Sequence, residues 1–344
     1  MAISFPKIPS SKTIDGIMTH PEQRVILKLI HKQEINREEE EVLEESIEYY
    51  KILYPFLKSI NLSLINDEEA NEILTYTHNA LSMIINSKNI IQFQYVYRVS
   101  IVKDTFLQND KVKDLGFITY PPLDLIKKLN VFGRANTPKS TVFYCSFQPG
   151  VAIFETKPKV NERIIIAQWH NYNKHTFMSC PISNNKTVIN NNVKAATKSF
   201  EELKKRNHPL FAEIMDMYLD FFSSEIVKNV KIKSPKKYEY LFSSLFADLA
   251  LSISYYEGQN VNDAKNNVEC LIYPSVAYNH KQENLAIVPE AMKKLIPVKL
   301  WDGIVISTNY DNTEISGMSL PIELKLLRES TQFDGSRIIW NDES

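Results

Sequence analysis

The chain has 344 residues, 44% hydrophobic and 24% charged, the profile of an ordinary globular protein with length for two or three domain-sized units. Its formal net charge is -1, so no overall field draws it to nucleic acid or to an acidic membrane, and neither is an expected partner.

The 3 cysteines, Cys145, Cys180 and Cys270, are far apart and never form CxxC, which argues against a disulfide framework or a structural zinc and fits a reducing cytoplasm. The opening MAISFPKIPSSKTIDG lacks the apolar core of a signal peptide, and no run of about 18 apolar residues marks a membrane span. A cytoplasmic location is therefore expected. Glycine is scarce, at 8 residues, and neither GxGxxG nor GxxxxGK[ST] occurs. HExxH is absent too, and His170 and His175 stand at a poor spacing for two ligands on one helix face, so no metal site is expected.

Residues 1–90 read as an N-terminal helical module. Asn36 is a candidate N-cap, and Glu38 to Glu41 complement the helix dipole. Val42, Leu43, Ile47, Tyr50, Leu53 and Leu57 follow at helical spacing, and Pro55 is expected to kink or end this helix. Asn66 or Asp67 caps a second helix.

Residues 91–325 read as a second domain. IIQFQYVYRVSIV alternates and is rich in aromatic and β-branched residues, as a strand is. TVFYCS and RIIIAQW are strand-like, while VAIFE fits either a strand or the start of a buried helix. His170 to Lys194 is rich in Asn and Lys and reads as loop. A helical insertion at about 195–235 follows, with FAEIMDMYLDFF apolar on nearly all sides, then a buried helix in YEYLFSSLFADLALSISYY. ECLIYPSVAY, NLAIVP and DGIVIS are short strands, and 326–344 is a polar C-terminal tail. Helices, strands, a helical insert and strands again make an α+β fold.

Four clusters carry residues suited to chemistry. Tyr97-Arg98 places a guanidinium inside an apolar strand, where it needs a partner or an anion. Gly133-Arg134-Ala135-Asn136 marks a tight loop whose Arg134 suits a phosphate. In VFYCSFQPGVAIFETK, Tyr144 and Ser146 precede a lone acid, Glu155, at the end of an apolar run, a setting that suits stabilisation of positive charge developing on a sugar carbon. In LIYPSV, Tyr273 and Ser275 end another apolar run, and no GxSxG elbow surrounds the serine.

Taken in order, YRVS, GRAN, VFYCS with AIFE, and LIYPS followed by NLAIVP resemble the RES domain family, named for its Arg, Glu and Ser. These map onto Arg98, Glu155 and Ser275, and the resemblance covers about residues 92–168 and 238–307. The resemblance departs at Ala135, where the family loop has an aromatic residue, and in the long stretch between Glu155 and Ser275.

The resemblance implies an ADP-ribosyltransferase-like core of mixed or antiparallel sheet. It implies an enzyme that consumes NAD by cleaving the nicotinamide–ribose bond, as glycohydrolase or phosphorylase, in many members as the toxin of a bacterial toxin–antitoxin pair. Transfer of ADP-ribose to a protein is the alternative reaction, and a non-catalytic interaction module is the alternative class. Arg98 and Arg134 are then expected at phosphate or ribose, Glu155 at the ribosyl cation or its 2′-hydroxyl, and Ser275 orienting nicotinamide or ribose. Tyr97, Tyr144, Ser146 and Tyr273 line the NAD site, and no metal is needed. NAD, an antitoxin protein and a second copy of the chain are the candidate partners, with the N-terminal helices the better placed partner surface.

Overall fold

The computed structural model describes residues 3–7, 12–14, 17–19, 21–80, 88–130, 132–182, 191–230, 237–251, 268–311 and 320–341. A small hairpin, β1 (Lys12–Ile14) with β2 (Ile17–Thr19), precedes helix α1 (Pro21–Ile30). Asn36 then opens α2 (Arg37–Ser59) with a full capping box: its Oδ1 accepts from the Glu39 amide at 2.9 Å, and its own amide donates to Glu39 Oε2 at 3.1 Å. The helix runs through Pro55 to Ser59 rather than ending there. Pro55 sits on the exposed face, while Leu53, Tyr54 and Leu57 on the buried face hold the helix to its neighbours. Asn66 caps α3 (Asp67–Ala80), accepting from the Glu69 amide at 2.9 Å.

IIQFQYVYRVSIV is two strands, not one. β3 (Asn89–Ile91) and β4 (Tyr95–Ile101) are separated at residues 92–94, where the Asn171 amide donates to the Gln94 carbonyl and Asn171 Nδ2 to the Phe93 carbonyl. The break sends β3 to one edge of the sheet and β4 to its middle. A minor hairpin, β5 (Leu107–Gln108) with β6 (Lys111–Val112), and helix α4 (Leu123–Leu129) lead to β7 (Phe143–Ser146). VAIFE is helical, within α5 (Pro149–Thr156); Pro149 at the first turn favours that start.

Next come β8 (Arg163–His170) and β9 (Phe177–Pro181). β9 lies inside the stretch expected to be loop, because the apolar run FMSCP is short and flanked by polar residues; Phe177 and Cys180 are nevertheless buried. The helical insertion comprises α6 (Asn191–Arg206) and α7 (Pro209–Ile226), and the buried helix expected after it is α8 (Leu241–Leu251). β10 (Cys270–Pro274), β11 (Glu283–Ile287), the short α9 (Pro289–Met292), β12 (Ile296–Thr308), β13 (Ile322–Asp334) and β14 (Arg337–Asn341) complete the order. The expected C-terminal tail is therefore corrected: Leu326 to Asp334 lie in β13 and Arg337 to Asn341 in β14, joined by a two-residue turn. β13 is largely polar because it buries only Ile322 and Ser330 and is held by backbone pairing with β12, whereas β14 turns Ile338 and Trp340 into the core.

Among the described residues the fold is α+β, with one ten-stranded sheet of order β14-β13-β12-β8-β4-β7-β11-β10-β9-β3. Only the β9–β10 pair is parallel, so the sheet is mixed. Strand alternation sends residues to two faces. Leu271, Tyr273 and Ala286 face the helices, in one continuous core with Leu43, Leu53 and Leu57 of α2 and Phe211, Phe221 and Phe222 of α7. Cys270, Ile272, Leu285 and Ile287 face the other way, with Phe143, Trp169 and Trp340. The boundary placed at residue 90 thus falls inside one shared core, not in a linker. α5 packs on the helical face through Ala152 and Ile153, in a smaller cluster with Val99, Ile164 and Val305. Among the described residues no helix is long and apolar enough to cross a membrane.

A candidate active site at a parting of two strands

β4 and β7 are neighbours but share a single registered pair, Tyr97 with Ser146. That pair starts a row across the sheet, since Ser146 pairs with Asn284 on β11, and Asn284 with Tyr273 on β10. Directly paired residues share a face, so Tyr97, Ser146, Asn284 and Tyr273 all point to the helical side. Beyond the pair the strands part, and a cavity of about 290 Å³ opens beside the parting. Its walls come from β4, β7 and α5, with Arg134, Tyr240, Tyr273 and Asn284 closing the rest.

Glu155 enters from the last turn of α5. A helix C-terminus is the negative end of the dipole, so a carboxylate there is disfavoured by about 0.3–1 kcal/mol unless donors offset it. Two donors converge on one of its oxygens: Ser275 Oγ donates to Oε1 at 2.5 Å and Asn284 Nδ2 donates to the same atom at 2.7 Å. Among the described residues, no hydrogen bond is made to Oε2. Each donor is itself fixed. Ser275 is fully buried just past the end of β10, and its Oγ accepts from the Tyr278 amide at 3.1 Å. Asn284 Oδ1 accepts from Ser146 Oγ at 2.5 Å, which orients the amide so that its NH₂ group faces Glu155. Tyr278 rests against Phe154, one residue before the acid, with ring centroids 5.0 Å apart. The carboxylate is thus held in place from β7, β11 and the β10–β11 loop together.

Arg98 occupies the parting itself. Its Nη1 donates to the Tyr144 carbonyl at 2.9 Å, in place of the ladder bond that a closer β4 would make. The guanidinium lies 5.5 Å from the Phe143 ring centroid. Its Nε is buried without a hydrogen-bond partner, and no carboxylate pairs with Arg98 among the described residues. Burial lowers this group to about 10, so it stays protonated at neutral pH.

The GRAN loop is pinned to β7 by one hydroxyl. Tyr144 Oη donates to Asn136 Oδ1 at 2.9 Å and accepts from the Ala135 amide at 2.8 Å. Gly133 is required here, because a Cβ would come within 2.2 Å of Asn136 Oδ1 and 2.8 Å of the Tyr144 hydroxyl. Ala135 is fully buried under the loop.

Arg134 reaches the cavity wall but is bound elsewhere. Its Nη1 donates to the carbonyls of Ile226 and, at 3.2 Å, Lys228, and its Nη2 donates to the Tyr240 hydroxyl at 3.1 Å. Tyr97 Oη accepts from Gln168 Nε2 at 3.0 Å. Tyr273 is almost fully buried, and burial raises its phenol well above the ordinary value. Burial likewise raises the thiols of Cys145, Cys180 and Cys270, so none of them is a ready nucleophile.

All eight expected site residues lie near one another. Tyr97, Arg98, Arg134, Tyr144, Ser146, Glu155 and Tyr273 line the cavity, and Ser275 sits behind Glu155 as its donor. Two residues escaped the sequence reading. Asn284 opens NLAIVP, and the signal was an amide at the start of a buried strand, which needs a polar partner. Tyr240 lies just before α8, in the run YEYLF, where nothing local separates a cavity-wall ring from a core one. Among the described residues, no group of three His, Cys, Asp or Glu side chains is placed to hold a metal ion. Compared with known proteins, the chain matches no protein-family model, no curated protein and no solved structure.

Proposed function

We propose that the protein is an enzyme of the RES type that degrades NAD by cleaving the nicotinamide–ribose bond. The carrying observation is Glu155: one carboxylate oxygen is fixed by Ser275 and Asn284, while the other has no hydrogen-bond partner among the described residues, at a cavity also lined by Arg98, whose guanidinium has no carboxylate partner among them. A fixed negative charge suits an oxocarbenium-like centre, and a buried cation suits the pyrophosphate of the same molecule. Loss of the C1′–N bond sends its electron pair to nicotinamide, which leaves neutral. Water or phosphate then adds to C1′ on losing a proton.

In this reading Glu155 faces the ribose, and Ser275 and Asn284 act by holding it. Tyr97 and Tyr273 stand at the walls. The cavity, at about 290 Å³, is at the lower end of the roughly 300–1,000 Å³ usual for small-molecule sites, which fits one half of a dinucleotide better than all of it. The reading extends to an ADP-ribosyltransferase-like core and to a toxin held in check by an antitoxin.

The test is incubation of purified protein with NAD, with and without phosphate, with free nicotinamide followed by chromatography. Release in either buffer is expected, and the product, ADP-ribose or its 1′-phosphate, identifies the acceptor. A folded sample that releases none in both buffers overturns the reading.

A further inference from the structure

Arg134 has the residue type of a phosphate ligand, but Nη1 and one N–H of Nη2 are already committed to protein acceptors. Its Nη1 lies against the Ile226 and Lys228 carbonyls, at the C-terminal end of α7. Those carbonyls are the negative end of the helix dipole, and a guanidinium there neutralises it. Its Nη2 holds the Tyr240 hydroxyl, and its Cζ stands 4.8 Å from the centroid of the same ring. Arg134 therefore bridges the GRAN loop, the end of α7 and the residue just before α8.

Tyr240 is half-buried and forms part of the cavity wall. It is the one residue of the stretch between β9 and β10 in that wall among the described residues. A Tyr ring in a cavity wall offers an apolar, polarisable surface on which a planar ligand ring can stack. The GRAN loop itself offers none at that point, since Ala135 is small and fully buried.

We propose that Tyr240 is a binding residue of the NAD site, contacting the nicotinamide ring, and that Arg134 is a positioning residue that holds it, not a phosphate ligand. This rests on the NAD reading above. Its consequence is that the site depends on the helical insertion, whose α7 end anchors Arg134, as well as on Tyr240 beside α8. The same bracket joins the site to the core shared by α7 and the N-terminal helices.

The test is a double-mutant cycle on nicotinamide release from NAD, using Tyr240→Leu, Arg134→Gln and the pair, with thermal melting of each as the folding control. Each single variant should raise KM for NAD at least fivefold, with the larger change in KM rather than kcat, and the pair should be no worse than Tyr240→Leu alone. Tyr240→Phe keeps the ring and the guanidinium over it and loses only the hydroxyl bond, so its KM should rise less than that of Tyr240→Leu. Multiplicative effects in the pair would make Arg134 an independent ligand and overturn its positioning role. An unchanged KM in Tyr240→Leu would overturn the binding role. Should Arg134→Gln fail to fold, the two Tyr240 variants still decide the binding role, and Arg134→Lys takes the place of Gln in the cycle. Wild-type protein that is folded but inactive would refute the NAD reading itself, and this inference with it.

Discussion

Ser275 and Asn284 donate to the same oxygen of Glu155, at 2.5 Å and 2.7 Å, although they come from opposite ends of the β10–β11 connection. Both are buried, and so is Ser146, which fixes Asn284 in turn. A buried polar chain of this kind is costly unless each member is satisfied. Here every member is satisfied by the next, and the chain ends on a carboxylate oxygen at the cavity.

Glu155→Gln should fold normally and lose turnover by about 10²–10³. Its amide oxygen can occupy the Oε1 position and still accept from Ser275 and Asn284, so only the charge is removed. Nicotinamide release and thermal melting, measured on the same sample, check both halves of this expectation.

Asn284→Ala removes a donor to Glu155 and also strands the Ser146 hydroxyl, whose acceptor is Asn284 Oδ1. Leaving buried polar groups unpaired costs about 1–3 kcal/mol each. The variant should therefore shift to a lower urea midpoint and also lose rate, because Glu155 is no longer held. A variant with wild-type midpoint and rate would show that the chain does not matter to either.

Arg98→Ala should act mainly on KM for NAD. The guanidinium has one carbonyl contact, a buried unpartnered Nε and no carboxylate partner among the described residues. Initial-rate kinetics separate KM from kcat, and an unchanged KM would remove Arg98 from phosphate binding.

The candidate site was readable to an unequal degree. Glu155 was visible because a single acid ended an apolar segment, whether that segment was strand or helix. Asn284 was hidden because its role depends on register: it meets Ser146 only through the β7–β11 pairing, 138 positions away in sequence. Arg134 was read as a phosphate ligand from its loop, but its partners sit at the end of a helix more than 90 residues later. β13 carries no period-2 signal because it buries only Ile322 and Ser330, whereas β14 does alternate, burying Ile338 and Trp340, but over five residues alone. Contacts distant in sequence, not local propensity, set the roles of Asn284 and Arg134.

Glu225 gives a pH dependence. It is buried near the end of α7, and burial raises its carboxyl above the ordinary 4.5, against the pull of Lys228 at 3.5 Å. With the folded value above the unfolded one, the folded state binds more protons in the window above 4.5, so stability falls as pH rises through that window. Glu225→Gln should be more stable than wild type at neutral pH and equal to it below the ordinary carboxylate range. Urea midpoints from pH 4 to pH 8, about the range of that titration, would show the two curves converging at the acid end.

The N-terminal helices should not be dispensable. Leu43, Leu53 and Leu57 of α2 are fully buried, and Tyr54 stacks on Phe221 of α7 with ring centroids 4.9 Å apart. Removing residues 1–90 would uncover that face of α7 and with it part of the core that reaches the sheet at Leu271 and Tyr273. Exposed apolar surface costs about 25 cal/mol per Å², so uncovering several large side chains at once is comparable to the whole stability of a domain. The truncated chain is therefore expected to be insoluble, or to bind a hydrophobic dye and melt without a cooperative transition. A milder version is Leu53→Ala, which should cost about 2–5 kcal/mol and leave the site chemistry intact in the molecules that remain folded. Nicotinamide release per folded molecule should then match wild type. A soluble truncated chain with a sharp melting transition would show that the helices form a separable unit despite the shared core.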